Sequence, residues 1–451
     1  MRTSLLRKLS FGAAAAAMVI PTVGGAHAAT TATKAKAPVN LIWFMRTEPK
    51  ENPWENAQVT AWNASHPNIH VQLITAPNPN GQFDAKFNTL LNSTPADIWS
   101  HLGQDGFADY YHRGLLYDYT PLIKKYGYNA GGTPQNLLNT YKIGSGLYGI
   151  PSITLGSFTF YNKDMIDAYN KAHPGDKIAY PPVSWDDKSW TWSKMVSIAT
   201  KLTNKSKHQY GVVQGLFPFM GYAYLAGTDM FPAGTYQSGT PKSFTATQPA
   251  VVDLFQQIGD WANKSKIAPS YSDQKAVSNQ GLDNFMTGNV GMILTGGWGF
   301  RNYNSVKFRW GAAPLPYLKS NKDVLFTDPY MLYKKSKHPA EAFQFIKFLT
   351  SRAPMEAYVK QVSFTPSNPD FLGNWYKLNA QRTGMTAEQL QTLLAGSRKY
   401  GQESPNHLVV HFSQIHNTMQ QDIDPIWFGQ KTAKDQMPTV EQDIQAILAR
   451  G

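Results

Sequence analysis

Apolar positions along the chain switch between two periods. Residues 39–44 form a compact apolar run suited to a buried strand, and residues 69–74 alternate as a half-buried strand does. Between them, Asn52-Pro53 reads as a cap followed by proline at the first helical position, which opens a helix running through Trp62. Strand, helix and strand in this order predict a parallel pair joined by a right-handed crossover. Later stripes recur at helical spacing: Trp192, Met195, Val196 and Ala199; Val251, Leu254, Phe255 and Ile258; and, behind Pro339, Ala342, Phe345, Ile346 and Leu349. Near the end, Thr439 with Gln442 predicts a capping box ahead of Val440, Ile444, Ile447 and Leu448. Strand-like pieces lie at 96–99, 158–161, 210–213, 290–294 and 310–313. The alternation predicts an α/β fold of two lobes. Residues 217–244, rich in Gly, Phe, Tyr and Pro without a period, read as a long loop or irregular insertion, a common seat of function.

The first residues read differently. Arg2, Arg7 and Lys8 precede a short apolar run over 11–23, and Ala26-His27-Ala28 fits a small-x-small cleavage site, so residues 1–28 are expected to be a signal peptide. That run is shorter than the roughly 20 apolar residues a spanning helix needs. Export therefore predicts a soluble mature chain beginning near Ala29. The sequence holds no cysteine, which excludes disulfides, thiol catalysis and a lipid anchor on an N-terminal Cys. With 451 residues and 42% apolar content, two cores are within reach without such staples. Formal charge is +12, from 42 basic and 30 acidic residues, but the mature region shows only scattered pairs such as Lys124-Lys125 and Lys334-Lys335. That distribution describes a solvated surface, not a nucleic-acid footprint.

Signatures of catalysis are absent. There is no Gly-x-Ser-x-Gly elbow, no phosphate loop and no dinucleotide fingerprint, and Gly296-Gly297-Trp298-Gly299 lacks the required spacing. Asp186-Asp187 would point to opposite sides of an extended segment, although a distant pair such as Asp97 with Asp328 stays open as a glycan-hydrolysing arrangement. His407 and His411 could share one helical face, with His416 off it; without an acidic residue at metalloprotease spacing, all three read as surface or cleft side chains, and no metal or cofactor is expected. What remains is aromatic wealth in loops, with 12 Trp, 23 Tyr and 23 Phe, many beside Gly, Pro, Asn, Asp or Gln. Flat rings match the C–H faces of sugars, and amides or carboxylates serve their hydroxyl edges.

The order of several motifs resembles the extracellular solute-binding proteins of ABC importers, the family that includes maltose- and oligosaccharide-binding proteins. Leu41-Ile42-Trp43, Pro95-Ala96-Asp97-Ile98, Gly114-Leu115-Leu116-Tyr117-Asp118-Tyr119-Thr120 and Gly146-Leu147-Tyr148-Gly149-Ile150-Pro151 come first. Phe160-Tyr161-Asn162-Lys163-Asp164 follows, then Ser184-Trp185-Asp186-Asp187 as the opening of a helix. Phe285-Met286-Thr287-Gly288-Asn289-Val290-Gly291-Met292 with Gly296-Gly297-Trp298, then Ala313-Pro314-Leu315-Pro316 and Ser336-Lys337-His338-Pro339-Ala340-Glu341-Ala342, complete the series.

The resemblance implies a two-lobed periplasmic-binding-protein fold, type II-like, with a ligand cleft between lobes and three crossings near 153–156, 326–328 and 363–366. Lobe 1 would hold 38–153 and 328–363, and lobe 2 would hold 156–326 and 366–451. It implies a monomer that binds a carbohydrate by cleft closure and passes it to the membrane permease subunits of an importer, without catalysis. Expected contacts are Arg46, Thr47 and Glu48 after the first strand; His101, Gln104 and Asp105 after Asp97; Asp328 and Tyr330 at the second crossing; and Trp298 as a stacking platform. The second lobe would add Phe217, Phe219, Tyr222, His411 and Phe412. A glycerol-phosphate-type anion is the alternative ligand, and a glycan hydrolase the alternative function.

Overall fold

The computed structural model describes residues 37–47, 53–77, 82–100, 105–280 and 282–450. The expected signal segment, Glu48, His101 and Gln104 lie outside the described residues, as does the side chain of Thr47.

The chain opens as its pattern predicts. Strand β1 (Val39–Thr47) and β2 (Ile69–Pro77) pair in parallel, from Val39 opposite Ile69 to Thr47 opposite Pro77, and the helix Pro53–Ser65 links them. Strand β3 (Ile98–Ser100) joins the other side of β1. A short hairpin, β4 (Lys142–Ile143) and β5 (Gly146–Leu147), precedes β6 (Ile150–Leu155) and β7 (Ser157–Asn162). Then come β8 (Tyr210–Gly215), β9 (Val290–Gly296), β10 (Trp310–Ala313), β11 (Asp323–Leu332) and β12 (Gly401–Glu403). Two sheets result. One has the order β12-β11-β3-β1-β2 with β6 also on β11; the other runs β10-β7-β9-β8. Helices cover both, as parallel strands buried on two faces require.

Strand β11 ties the halves together. Its start pairs with β12 (Asp323 opposite Gly401), its middle with β6 (Thr327 opposite Thr154), and its end with β3 (Met331 opposite Trp99). All ten residues are buried. Pro329 lacks an N–H to donate, and the ladder shifts register between Asp328 and Pro329. Residues 365–367 close on β6 as well: Thr154 N–H donates to Thr365 O at 2.9 Å, Ser367 N–H donates to Ser152 O at 3.0 Å, and Ile153 bridges Pro366. Thus 153–156, 326–328 and 363–366 meet in one small hydrogen-bonded patch, where Thr154 Oγ1 and Ser367 Oγ lie 2.8 Å apart.

Several local expectations need correction. The last helix does not begin at Thr439. It runs Ala433–Leu448, with Thr432 as the cap accepting from Asp435 N–H, and carries Pro438 inside it. Among the described residues a capping box is formed by Thr386 with Gln389, at the head of Ala387–Tyr400. Ser184-Trp185-Asp186-Asp187 is a turn; the helix opens later at Trp192, where Thr191 accepts from Lys194 N–H at 3.1 Å. Residues 217–244, expected as a long loop or irregular insertion, are instead broken by two short helices, Met220–Leu225, whose residues are all buried, and Thr235–Ser238.

Candidate functional site

Parallel strands in α/β sheets present ligands at their carboxyl ends. In the first sheet those ends are Met45–Thr47 and Ser100, and in the second they are Gly215 and Gly296, the points from which 217 and 298 depart. Trp298 follows a glycine pair for a steric reason. The indole folds back over Gly296, where an added Cβ would sit 2.1 Å from the ring, while Gly297 N–H donates to Gly156 O at 2.6 Å beside the first crossing. The half-buried indole meets Phe326 edge-on, with centroids 5.3 Å apart. Phe326 belongs to β11, so the Trp298 indole leans on that strand.

A strip of rings continues from there. Phe217, half-buried, stacks on Phe326 at 6.0 Å and meets His416 at 4.8 Å. His416 in turn stacks on Phe219 at 5.5 Å and on Phe412 at 6.0 Å. The structure therefore brings Trp298, Phe217, Phe219 and Phe412 into one wall through two residues that were not among the expected contacts, Phe326 and His416. Tyr222 stays behind this wall, fully buried, its hydroxyl donating to Gln214 Oε1 at 3.3 Å. His411 is exposed, with φ 56°, immediately before the helix Phe412–Trp427.

The histidines differ from expectation. His407 ends in the one-turn helix Pro405–Leu408 and His411 follows a break, so they share no helical face. His407 and His416 are not surface or cleft side chains but are buried to 2% and 6% exposure. Desolvation among phenylalanine rings lowers the His416 pKa to about 4, and its Nδ1 has no partner. His407 lies between two carboxylates, with Nδ1 2.5 Å from Glu403 Oε1 and Nε2 3.5 Å from Asp328 Oδ1. Glu403 Oε1 also accepts from Thr327 N–H at 2.8 Å. Among the described residues no group of three or more His, Asp or Glu side chains is arranged to hold a metal ion.

Polar side chains gather beside β11. Tyr358, buried against Trp54 with centroids 4.9 Å apart, has its phenol pKa pushed up by burial and by the nearby charges of Glu55 and Asp328, with Arg301 acting against them. Glu55 opens the first helix, Arg301 follows the Trp298 turn, and Asp328 lies on β11, so three separate segments converge. Tyr330 is buried in the same region, its ring 6.3 Å from that of Trp43. Arg46 is half-buried at the end of β1.

Two carboxylates weighed for chemistry are occupied structurally. Asp97 accepts from Ile42 N–H at 2.9 Å and from the Ser336 hydroxyl at 2.6 Å, pinning β1 to the chain after β11. Asp186, exposed, is held by Lys399 and Tyr400.

Comparison with known proteins places this arrangement. The family model of the bacterial extracellular solute-binding protein matches residues 47–356. The ABC substrate-binding protein Lmo0181 from Listeria monocytogenes, solved with cycloalternan, superposes with a TM-score of 0.75 at 20% identity over 91% of this chain and 99% of that one. Maltose-bound MalE3 of T. maritima gives 0.69 at 17% identity over 91% and 100%. The GacH receptor of Streptomyces glaucescens, solved unliganded and with acarbose, gives 0.69 at 16% identity over 92% and 99%. An uncharacterized lipoprotein in the oleD 5' region of Streptomyces antibioticus is 27% identical over 157 residues, 34% of this chain but only 31% of that relative's length. By the extent of the family match, and with the two-lobed fold shared with these solved structures, the chain belongs to the bacterial extracellular solute-binding protein family.

Proposed function

We propose that this protein is the sugar-capturing component of an ABC importer, binding an oligosaccharide between lobes that close about the three crossings. The observation that carries this reading is the aromatic wall Trp298, Phe326, Phe217, two of whose rings are half-buried at the strand ends. Rings of this kind stack on sugar C–H faces, and the nearby carboxylates suit hydroxyl edges. The neighbours solved with cycloalternan, maltose and acarbose support the same ligand class. The polar set comprises Arg46, Thr47, Glu48, His101, Gln104, Asp105, Asp328 and Tyr330 from the first lobe and its crossing, to which Glu55, Arg301 and Tyr358 are added. Lobe 1 is taken as 38–153 with 328–363, and lobe 2 as 156–326 with 366–451.

The carboxylates Glu55, Asp328 and Glu403 around the crossing favour a neutral polyol over a phosphate ester, because they would repel an anion. Hydrolysis is disfavoured for the pair Asp97 and Asp328, since Asp97 is committed to Ile42 and Ser336. The protein acts as a binder, exported by residues 1–28 and working as a monomer with permease subunits. The sequence offers no cysteine for a lipid anchor.

The test is a thermal-shift and tryptophan-fluorescence panel of maltose-type, mannose-type and cyclic oligosaccharides, with glycerol phosphate esters as a second arm. Saturable responses to an oligosaccharide support the reading. Silence across the sugar arm, or a response to the esters alone, overturns it.

A further inference from the structure

Apart from the three crossings, the halves of the molecule touch at a fourth place. The short helix Phe107–His112, which follows β3 of the first sheet, packs on Pro405–Leu408. Contact is at backbone distance: a Cβ added to Gly106 would lie 2.0 Å from Asn406 O. His112 Nε2 sits 2.9 Å from Ser238 O, and Gly239 O accepts from Val410 N–H at 2.9 Å, so the turn after Thr235–Ser238 is gathered into the same contact.

Asp105 completes it. Its Oδ1 accepts from Ser413 N–H at 3.0 Å. Ser413 is the second residue of the 16-residue helix Phe412–Trp427, and the flanking residue His411 provides no side-chain cap of its own. A helix start leaves several N–H groups without partners and carries partial positive charge, so a carboxylate there is stabilising. Here that carboxylate lies just before the helix Phe107–His112, whereas the capped helix packs on Pro249–Asn263, whose Trp261 stacks on Trp192 of the helix lying against β8 of the second sheet. The same helix carries Phe412 and His416 of the aromatic wall. Burial raises the Asp105 pKa and the Ser413 hydrogen bond opposes that rise, as expected of a carboxylate desolvated where two bodies meet.

We propose that Asp105, by capping the helix Phe412–Trp427 from the opposite lobe, is a latch that holds the two lobes together before any ligand arrives. Closure would then be partly prepaid, and the latch would set ligand affinity through the fraction of closed molecules. This rests on the two-lobed reading, not on the identity of the ligand.

The experiment needs no ligand. Small-angle scattering of the mature chain from Ala29 is compared for wild type, Asp105→Ala, Asp105→Asn and His112→Ala, with far-UV circular dichroism confirming the fold. Asp105→Ala and His112→Ala are expected to raise the radius of gyration beyond the error of the wild-type curve. Asp105→Asn, which keeps an oxygen acceptor, should stay nearer to wild type. Should Asp105→Ala fail to fold, His112→Ala, altered at a side chain whose hydrogen bond is exposed, decides the matter. Equal or smaller radii in the folded variants overturn the proposal. With a ligand in hand, His112→Ala, a residue outside the proposed ligand contacts, should weaken affinity about twofold to tenfold, the range one net hydrogen bond commands. Unchanged radii alongside normal sugar binding would refute the latch alone and leave the proposed function intact.

Discussion

His416 makes the sharpest energetic prediction. Its imidazole is 6% exposed, packed between Phe219 and Phe412 and against Phe217, with no partner for Nδ1. Burial lowers its pKa from 6.5 to about 4. A base with a depressed folded pKa binds its proton more weakly in the folded state than in the unfolded one. It therefore contributes stability that is present above pH 6.5 and is lost as pH falls through about 4. At about 1.36 kcal/mol per pKa unit the full loss is about 3 kcal/mol. Attraction between an imidazolium and the surrounding ring faces, about 1–2 kcal/mol, works the other way and sets a lower bound near 1 kcal/mol. Substitution His416→Phe keeps an aromatic ring among aromatic rings and removes the titrating group. Guanidinium unfolding of both proteins at half-unit steps from pH 4 to pH 7.5 gives the difference directly. The variant should gain on wild type by about 1–3 kcal/mol between the two ends of the range. Half-buried carboxylates such as Asp422, raised to about 6 by desolvation and by Asp443, titrate in the opposite sense, but they cancel in this difference. A gap between variant and wild type that stays constant with pH would refute the reasoning.

Other expectations follow from single contacts. Gly211→Ala places a Cβ 1.9 Å from Ala199 O, a backbone atom, so calorimetric melting should show a loss of at least about 1–3 kcal/mol, the usual cost of overpacking. Ser367→Ala leaves the buried Thr154 hydroxyl without its 2.8 Å partner and should cost about 1–3 kcal/mol in denaturant titration while far-UV circular dichroism is unchanged. Trp54→Phe deletes the indole N–H that donates to Pro354 O at 2.8 Å and shrinks a buried side chain, so it should lower stability by about 1–3 kcal/mol.

Much of the fold was legible because its signals are local. Pro53 marks a helix start, alternation at 69–74 marks a half-buried strand, and the stripe from Trp192 to Ala199 marks a helix face; each gives the same answer in the structure. The crossing strand β11 escaped because burial on every side erases alternation, and because Asp323, Asp328 and Pro329 disguise it as a loop. Asp323 shows the reason: its carboxylate is buried to accept from Ser157 N–H at 3.0 Å, a contact spanning 166 positions that no window can contain. Thr439 with Gln442 fits the capping-box spacing and so puts the start of the last helix too late, whereas the observed cap, Thr432, lies seven residues before Thr439. At the candidate site, Trp298 stood out by its glycine-flanked motif. Phe326, Glu403, His407 and His416 carry no motif, because only the meeting of β11, β12 and the helix Phe412–Trp427 makes them neighbours.

The central claim, that a sugar is held against the Trp298 platform, is tested most directly by calorimetric titration. The oligosaccharide giving the largest thermal shift would be titrated into wild type and into Trp298→Ala. The account expects wild-type affinity near 1 μM, about 8 kcal/mol. It expects that affinity to fall about tenfold or more when the ring is removed, as the loss of a stacking aromatic of about 1.4 kcal/mol or more implies. Equal affinity in the two proteins would contradict it.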